Sequence, residues 1–112
     1  MIKRIVVADV DSSFDSVTGD RSFSIVSAKV LALDVDFTGM QTKQLGQAQN
    51  IVLVYSVVIP RIQYHNEKYC YFDGNVYEVK SLSKAKLPSE MTLNLSKLED
   101  DQILEAFETW EG

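Results

Sequence analysis

A run of acidic residues near the amino terminus has the spacing of a calcium-binding loop. Its members fall at the ligand positions of an EF-hand count: Asp9, Asp11, Ser13, Asp15 and Asp20. Phe14 stands where that loop needs glycine for its sharp turn, and the residues before Asp9 have the composition of a strand. We therefore interpret the segment as a solvated turn, with calcium binding as the alternative.

The single histidine and the single cysteine are the other candidates for chemistry. Glu67 could orient the His65 imidazole, but no nucleophile accompanies the pair. Cys70 lies in an aromatic run without a base, which is typical of a small buried hydrophobe. One cysteine and one histidine form neither a zinc set nor an internal disulfide. We expect no enzymatic activity, no metal and no cofactor, and a hydrolase built on His65 or the Asp9 cluster is the weakest alternative.

The segment YCYFDGNVYEVK predicts a two-residue hairpin, because Asp73-Gly74 suits a type I′ turn. The predicted pairs are Phe72 with Asn75, Tyr71 with Val76, Cys70 with Tyr77 and Tyr69 with Glu78. Opposed residues share a face, which assigns Cys70, Phe72, Tyr77 and Val79 to the core and Tyr69, Tyr71, Val76 and Glu78 to the other side. Tyr69 and Tyr71 are then candidates for stacking on nucleic-acid bases or for a protein interface.

Six segments have the composition of β-strands: Ile2–Val10, Phe23–Val35, Ile51–Pro60, the two arms of the Tyr69–Lys80 hairpin, and Met91–Leu98. The second is long enough to bulge in its middle. One of its faces is Phe23, Ile25, Ala28, Val30 and Ala32, and the other is Val26, Lys29, Leu31 and Leu33. The polar segment Phe37–Gln49 is interpreted as a loop with a helical turn at Thr42–Leu45. Six strands in so short a chain favour a closed antiparallel barrel.

The carboxyl-terminal segment predicts an amphipathic helix. Asp100 and Asp101 can cap it, and an apolar stripe follows at Ile103, Leu104, Phe107 and Trp110. The helix could cover one end of its own barrel or dock on a neighbouring subunit, for which Phe107 and Trp110 are the interface candidates. We divide the chain into a β-barrel domain, residues 1–98, and an acidic helical tail, residues 99–112.

Charge is unevenly distributed along the chain. The net charge of −5 includes six acidic and no basic residues from Glu99 onward, so residues 1–98 carry a net charge of +1. A duplex-DNA-binding surface would show a clear basic excess. The apolar run near the amino terminus is too short for a signal peptide or a membrane span. We expect no membrane association.

The order of these features carries a family resemblance. The chain begins with a short strand, a Gly-containing turn and a long strand with Ala28-Lys29-Val30. A polar loop and an apolar strand ending near Arg61 come next. They are followed by a hairpin with Tyr71, Gly74, Tyr77 and Val79, and by a closing strand with Leu93 and Leu95. Over residues 2–98 this order resembles the phage head-tail joining proteins, also called head-closure or stopper proteins.

The resemblance implies a small β-barrel with a long loop between strands 2 and 3. Together with the six strands and the short C-terminal helix predicted above, it leads us to expect a mainly β fold, a small antiparallel six-stranded β-barrel that carries this loop and this helix. It implies a structural protein of the virion neck, present in the host cytoplasm before assembly. Such proteins form a ring of about twelve copies between the portal-adaptor assembly and the tail-completion protein, and they retain packaged double-stranded DNA without reading its sequence.

In that family the loop between strands 2 and 3 projects toward the central channel. The corresponding candidates are Asp36, Thr38, Gly39, Gln41, Thr42, Lys43, Gln44, Gly46, Gln47 and Gln49. Because Lys43 is the only cation, such a loop would block DNA without gripping its phosphates. The alternative function is an OB-like barrel that binds single-stranded nucleic acid through Tyr69, Tyr71 and the cations near Lys80.

Overall fold

Six antiparallel strands form one sheet that closes in a ring, as predicted. The computed structural model describes the backbone of residues 1–45 and 48–111 and the side chains of residues 1–39 and 53–110. The strand order around the ring is β1-β2-β3-β6-β5-β4. The elements are β1 (Ile2–Phe14), β2 (Arg21–Leu45), β3 (Ala48–Pro60), a 3-10 helix (Arg61–Gln63), β4 (Tyr69–Phe72), β5 (Asn75–Lys84), β6 (Glu90–Lys97) and α1 (Asp101–Glu111).

The β4–β5 hairpin has the predicted turn and register. Asp73 and Gly74 both have positive φ, 52° and 75°, as a type I′ turn requires. All four predicted residue pairs are present, from Tyr69 opposite Glu78 to Phe72 opposite Asn75. The hairpin closes the ring because β4 also pairs with β1, where Val7 lies opposite Cys70.

The predicted bulge in the long second strand is also present. Val7 pairs with Lys29 and Asp9 pairs with Val26, so Ser27 and Ala28 together lie opposite a single residue of β1. Ser27 adopts the left-handed φ of 53° that lets the strand take up the extra residue. As predicted, Phe23, Ile25 and Ala28 lie together in one hydrophobic cluster, and Leu31 and Leu33 lie in the other.

The inside of the ring is a filled hydrophobic core. Residues from all six strands line it, and the largest contributions come from β-branched and aromatic side chains. Cys70, Phe72 and Tyr77 lie in it as predicted, and Val79 packs at its margin. The buried members are Ile5, Val7, Leu33, Val35, Val57, Ile59, Cys70, Phe72, Tyr77, Leu93 and Leu95.

A second core lies on the outer face of the sheet, beneath α1. Asp100 starts the helix, because its Oδ1 accepts the backbone N–H groups of Gln102 and Ile103 at 3.0 and 3.2 Å. Ile103 and Phe107, one helical turn apart, are buried against Val6, Ala8 and Val76. Of the two placements left open by the sequence, α1 packs on its own chain, and it covers a side of the sheet instead of an end.

The interpretation of 37–49 as a loop with a helical turn is wrong. β2 continues to Leu45, β3 begins at Ala48, and the two strands pair from Gly39 opposite Val54 to Leu45 opposite Ala48. The scarcity of apolar residues in this segment suggested a loop. A β-ladder, however, needs only that backbone N–H and C=O groups find partners. The β-branched residues Ile51 and Val52 in the first part of β3 favour an extended backbone, whose N–H and C=O groups can pair with β2.

Candidate functional site

The β2–β3 hairpin extends beyond the closed sheet as a two-stranded arm. β1 pairs with β2 only as far as Asp34, and β6 pairs with β3 only from Val54 onward. Among the described strands, residues 39–45 and 48–53 therefore have a strand neighbour on one side only, within the β2–β3 ladder. We call these residues the β2–β3 arm. Seven residues of strand correspond to a reach of roughly 20 Å.

Most of the channel candidates lie in or beside this arm. Asp36 and Thr38 precede it, and Gly39 is its first residue. Farther along are Gln41, Thr42, Lys43 and Gln44 on β2 and Gln49 on β3. Gly46 and Gln47 lie outside the described residues. The candidates that the structure describes thus share one structural element, a β-ladder, where a loop was predicted.

The base of the β2–β3 arm is fixed by a bulge and a hydrogen bond. Phe37 lies opposite Tyr55 and Gly39 lies opposite Val54, which leaves Thr38 as the extra residue. The Thr38 hydroxyl donates to the Val54 carbonyl at 3.1 Å. Gly39 has φ of 138°, a conformation that side chains disfavour. The bulge redirects the strands where they leave the closed sheet.

Four aromatic rings close the end of the inner core next to the arm. Tyr55 is central, with edge-on contacts to Phe37 at 5.2 Å, to Phe72 at 5.7 Å and to Tyr77 at 5.1 Å between ring centroids. Phe72 and Tyr77 stack at 4.3 Å. Burial raises the pKa of the Tyr77 hydroxyl. This aromatic cluster ties the arm to the rigid interior.

The four interface candidates cluster around α1. The rings of Tyr71 and Phe107 stack with centroids 5.4 Å apart and planes 7° from parallel. Phe107 is completely buried, and Tyr69 is half-buried in the same cluster. Trp110, at 43% exposure, is the candidate that stays open to solvent. Since the helix occupies a face of Tyr71, the two tyrosines are not the open stacking platform that the nucleic-acid alternative requires.

A buried ion pair lies at the end of the closed sheet opposite the aromatic cluster. Glu67 is 2% exposed, and its Oε1 is 2.9 Å from the Lys29 ammonium. Its Oε2 accepts the His65 backbone N–H at 2.8 Å. Burial alone would raise the pKa of Glu67, but Lys29 and the backbone donors outweigh burial and hold that pKa below its ordinary value. Lys29 also donates to the Gln63 carbonyl at 2.6 Å.

The contacts around Lys29 fix the segment between β3 and β4, and they place no nucleophile from the described side chains beside His65. The His65 Nδ1 atom is 3.3 Å from the Lys29 ammonium, and the Tyr64 hydroxyl donates to the Glu67 carbonyl at 2.8 Å. Asp9 accepts the Lys68 backbone N–H at 2.9 Å. These contacts hold the segment between β3 and β4 against β1 and β2. Sequence reasoning missed the Lys29–Glu67 pair, because ring closure alone brings the two residues together.

The acidic run at the amino terminus does not form a calcium loop. Asp9 and Asp11 lie on β1, whose extended backbone cannot wrap around one ion. Asp15 instead closes the β1–β2 turn, where its Oδ1 accepts the backbone N–H groups of Val17 at 2.9 Å and Thr18 at 3.4 Å. These two hydrogen bonds lower the pKa of Asp15. Among the side chains of residues 1–39 and 53–110, no three acidic, His or Cys residues are grouped to hold a metal ion.

Comparison with protein-family models and with curated proteins finds no match to this chain. In the part of the chain that the structure describes, no helix has the length and apolar character needed to cross a membrane.

Proposed function

We propose that this protein is a structural component of a phage virion neck, a head-closure protein that joins the portal-adaptor assembly to the tail and retains packaged DNA. The observation that carries the proposal is the β2–β3 arm. A two-stranded ribbon that projects from a filled, closed sheet has no role in the core of its own domain. It is suited to reach a surface or a channel outside the chain.

The stability of such an arm supports an assembly role. An isolated two-stranded hairpin is marginally stable in water, and its outer edges leave backbone groups unpaired. Residues 39–45 and 48–53 are in that situation in the single chain. Neighbouring copies or an adaptor would supply the missing contacts. The aromatic cluster at the base gives the arm a firm attachment.

The composition of the arm supports proximity to DNA without tight binding. Its sequence holds Gln41, Gln44 and Gln49 as hydrogen-bonding residues and Lys43 as its cation. Each phosphate neutralised by a cation adds affinity that would oppose DNA release. An arm of this composition can obstruct a duplex sterically and still let it pass during ejection.

The experiment is to shorten the arm in the phage or prophage that encodes the chain. Residues 41–52 are replaced by a two-residue Asn-Gly turn, which suits a hairpin and keeps Met40 opposite Leu53. We expect heads that package DNA and then lose it, seen as empty heads by electron microscopy and as nuclease-sensitive DNA. The matched control shortens the β1–β2 turn at residues 16–19, which lie in the other hairpin of β2. Filled, infectious virions from the shortened-arm variant would overturn the proposal.

A further inference from the structure

The charged residues on the exposed side of α1 are all acidic. Asp101, Glu105 and Glu108 recur at helical spacing, and all three are exposed. No ion pair joins them to any side chain that the structure describes. The helix contains no basic residue. We call these three residues the acidic helix face.

A second surface of the chain has the opposite charge. Arg61 packs on the β5–β6 turn, where its Nε donates to the Pro88 carbonyl at 2.9 Å and its backbone N–H donates to Ser89 at 2.9 Å. Lys84 and Lys86 are exposed on the same turn, and neither has an ion-pair partner within the described side chains. We call Arg61, Lys84 and Lys86 the basic turn.

The basic turn also carries apolar surface. Ile62 is 82% exposed next to Arg61, and Leu87 is 56% exposed next to Lys86. Glu90, Asp34 and Asp36 border the same hollow as Lys84 and Lys86. Because Asp34 is paired with the amino-terminal ammonium, the basic turn keeps an excess of one positive charge over Glu90 and Asp36. Exposed aliphatic side chains surrounded by cations are suited to a partner that is acidic and partly apolar. The acidic helix face, with Trp110 exposed at its end, has that character.

The two surfaces lie apart within one chain. α1 packs on the first part of β5, at Val76, whereas the basic turn follows the end of β5 at Lys84. Eight residues of strand separate those positions, roughly 25 Å along β5. That separation exceeds the screening length of about 8 Å at physiological salt, so the two charges do not neutralise each other within a chain.

We propose that the acidic helix face of one copy docks on the basic turn of the next copy. Two different surfaces then meet at every contact, which is the head-to-tail arrangement that generates a ring or a filament. The inference rests on the proposed function, because a neck ring needs a repeating contact of this kind. It names the surfaces that make the contact.

Reversing the charge of each surface in turn, and then mixing the two variants, tests the proposal; we call this experiment charge exchange. A helix variant carries Glu105→Lys and Glu108→Lys, and a turn variant carries Lys84→Glu and Lys86→Glu. We expect the purified wild-type chain to self-associate in sedimentation velocity at low salt. Each variant alone should associate more weakly than the wild type, by a factor of about ten or more. An equimolar mixture of the two variants should recover association, because every contact in an alternating assembly then pairs opposite charges.

The matched control reverses two exposed acidic residues that belong to neither α1 nor the basic turn, with Asp11→Lys and Asp20→Lys. It should associate as the wild type does, and circular dichroism should show all variants folded. A wild-type chain that stays monomeric at its highest soluble concentration in low salt would overturn the inference. A mixture that fails to recover, or a control as weak as the helix variant, would do the same.

This experiment and the arm-shortening experiment can fail separately. Self-association is measured on the purified chain without DNA, adaptor or virion. If charge exchange has no effect but the shortened arm loses DNA, then the neck function stands and the copies meet through other surfaces. If charge exchange behaves as expected but the shortened arm retains DNA, then the chain forms head-to-tail assemblies with another purpose.

Discussion

Phe37 and Tyr55 face each other across the β2–β3 ladder where the arm leaves the closed sheet, with ring centroids 5.2 Å apart. Tyr55 belongs to the aromatic cluster of the inner core, whereas Phe37 is 55% exposed at its rim. The pair therefore links a projecting ribbon to a packed interior. Without it, the described contacts at the base of the arm would be the backbone ladder and the hydrogen bond from the Thr38 hydroxyl to the Val54 carbonyl.

Replacing Phe37 tests this link. Phe37→Ala removes one aromatic pair, which contributes about 1 kcal/mol beyond its buried area. We expect a small loss in the free energy of unfolding, measured in urea, together with faster amide hydrogen exchange at residues 39–45 and 48–53. Phe14→Ala is the control, because Phe14 is 64% exposed on the other hairpin of β2. Equal exchange in the two variants would show that Phe37 does not steady the arm.

The contact between α1 and the sheet predicts a larger loss. Phe107 is completely buried and stacks on Tyr71, so Phe107→Ala should cost about 3–5 kcal/mol of unfolding free energy and reduce helical circular dichroism. Trp110→Ala, on the same helix but 43% exposed, should cost much less. If urea unfolding gave similar losses for the two variants, the cis packing of α1 would contribute little to stability.

Glu67 predicts a dependence of stability on acid pH. Its folded-state pKa lies below the ordinary value of 4.5, so its ion pair stabilises fully above that value and is lost as pH falls through the folded-state pKa. The unfolding free energy of the wild type should therefore drop as pH falls from about 5 through the folded-state pKa of Glu67. Glu67→Gln should be less stable at neutral pH and should lose less on acidification.

Two comparisons sharpen the Glu67 experiment. Glu78→Gln is the control, since Glu78 is more exposed and lies 3.4 Å from Lys80; it should retain the acid dependence of the wild type. Lys29→Met removes the partner and leaves a buried carboxylate, which should raise the pKa of Glu67 above its ordinary value. An unchanged acid dependence in Glu67→Gln would assign that dependence to other carboxyl groups.

The Cys70 thiol should be chemically silent in the folded protein. Burial is complete and raises the pKa of the thiol to about 12, so almost no thiolate forms near neutral pH. Modification by an aromatic disulfide reagent should proceed only at the rate of unfolding and should accelerate in urea. A cysteine placed on the exposed part of β5, as Ser83→Cys with Cys70→Ala, should react at once. Rapid labelling of native Cys70 would show that the ring opens locally.

Local chemistry explains which features the sequence could predict. Asp73-Gly74 dictates its own turn, and the turn then sets the register of every residue from Tyr69 to Glu78. The β2–β3 arm could not be predicted in the same way, because its ladder depends on backbone pairing between two segments whose polar side chains resemble a loop. The Lys29–Glu67 pair and the stacking of Phe107 on Tyr71 depend on ring closure and helix placement. Neither has a short-range signal.

The bulge at Ser27 and Ala28 lets a single strand serve two hydrophobic layers. Phe23 and Ile25 lie in the layer under α1, whereas Leu31, Leu33 and Val35 line the interior of the ring, although all five are odd-numbered. In a regularly alternating strand, residues of the same parity share one face. The extra residue therefore joins both layers into one cooperative unit. Deleting Ser27 would turn Phe23 and Ile25 away from the helix, and the outer layer would melt before the inner one.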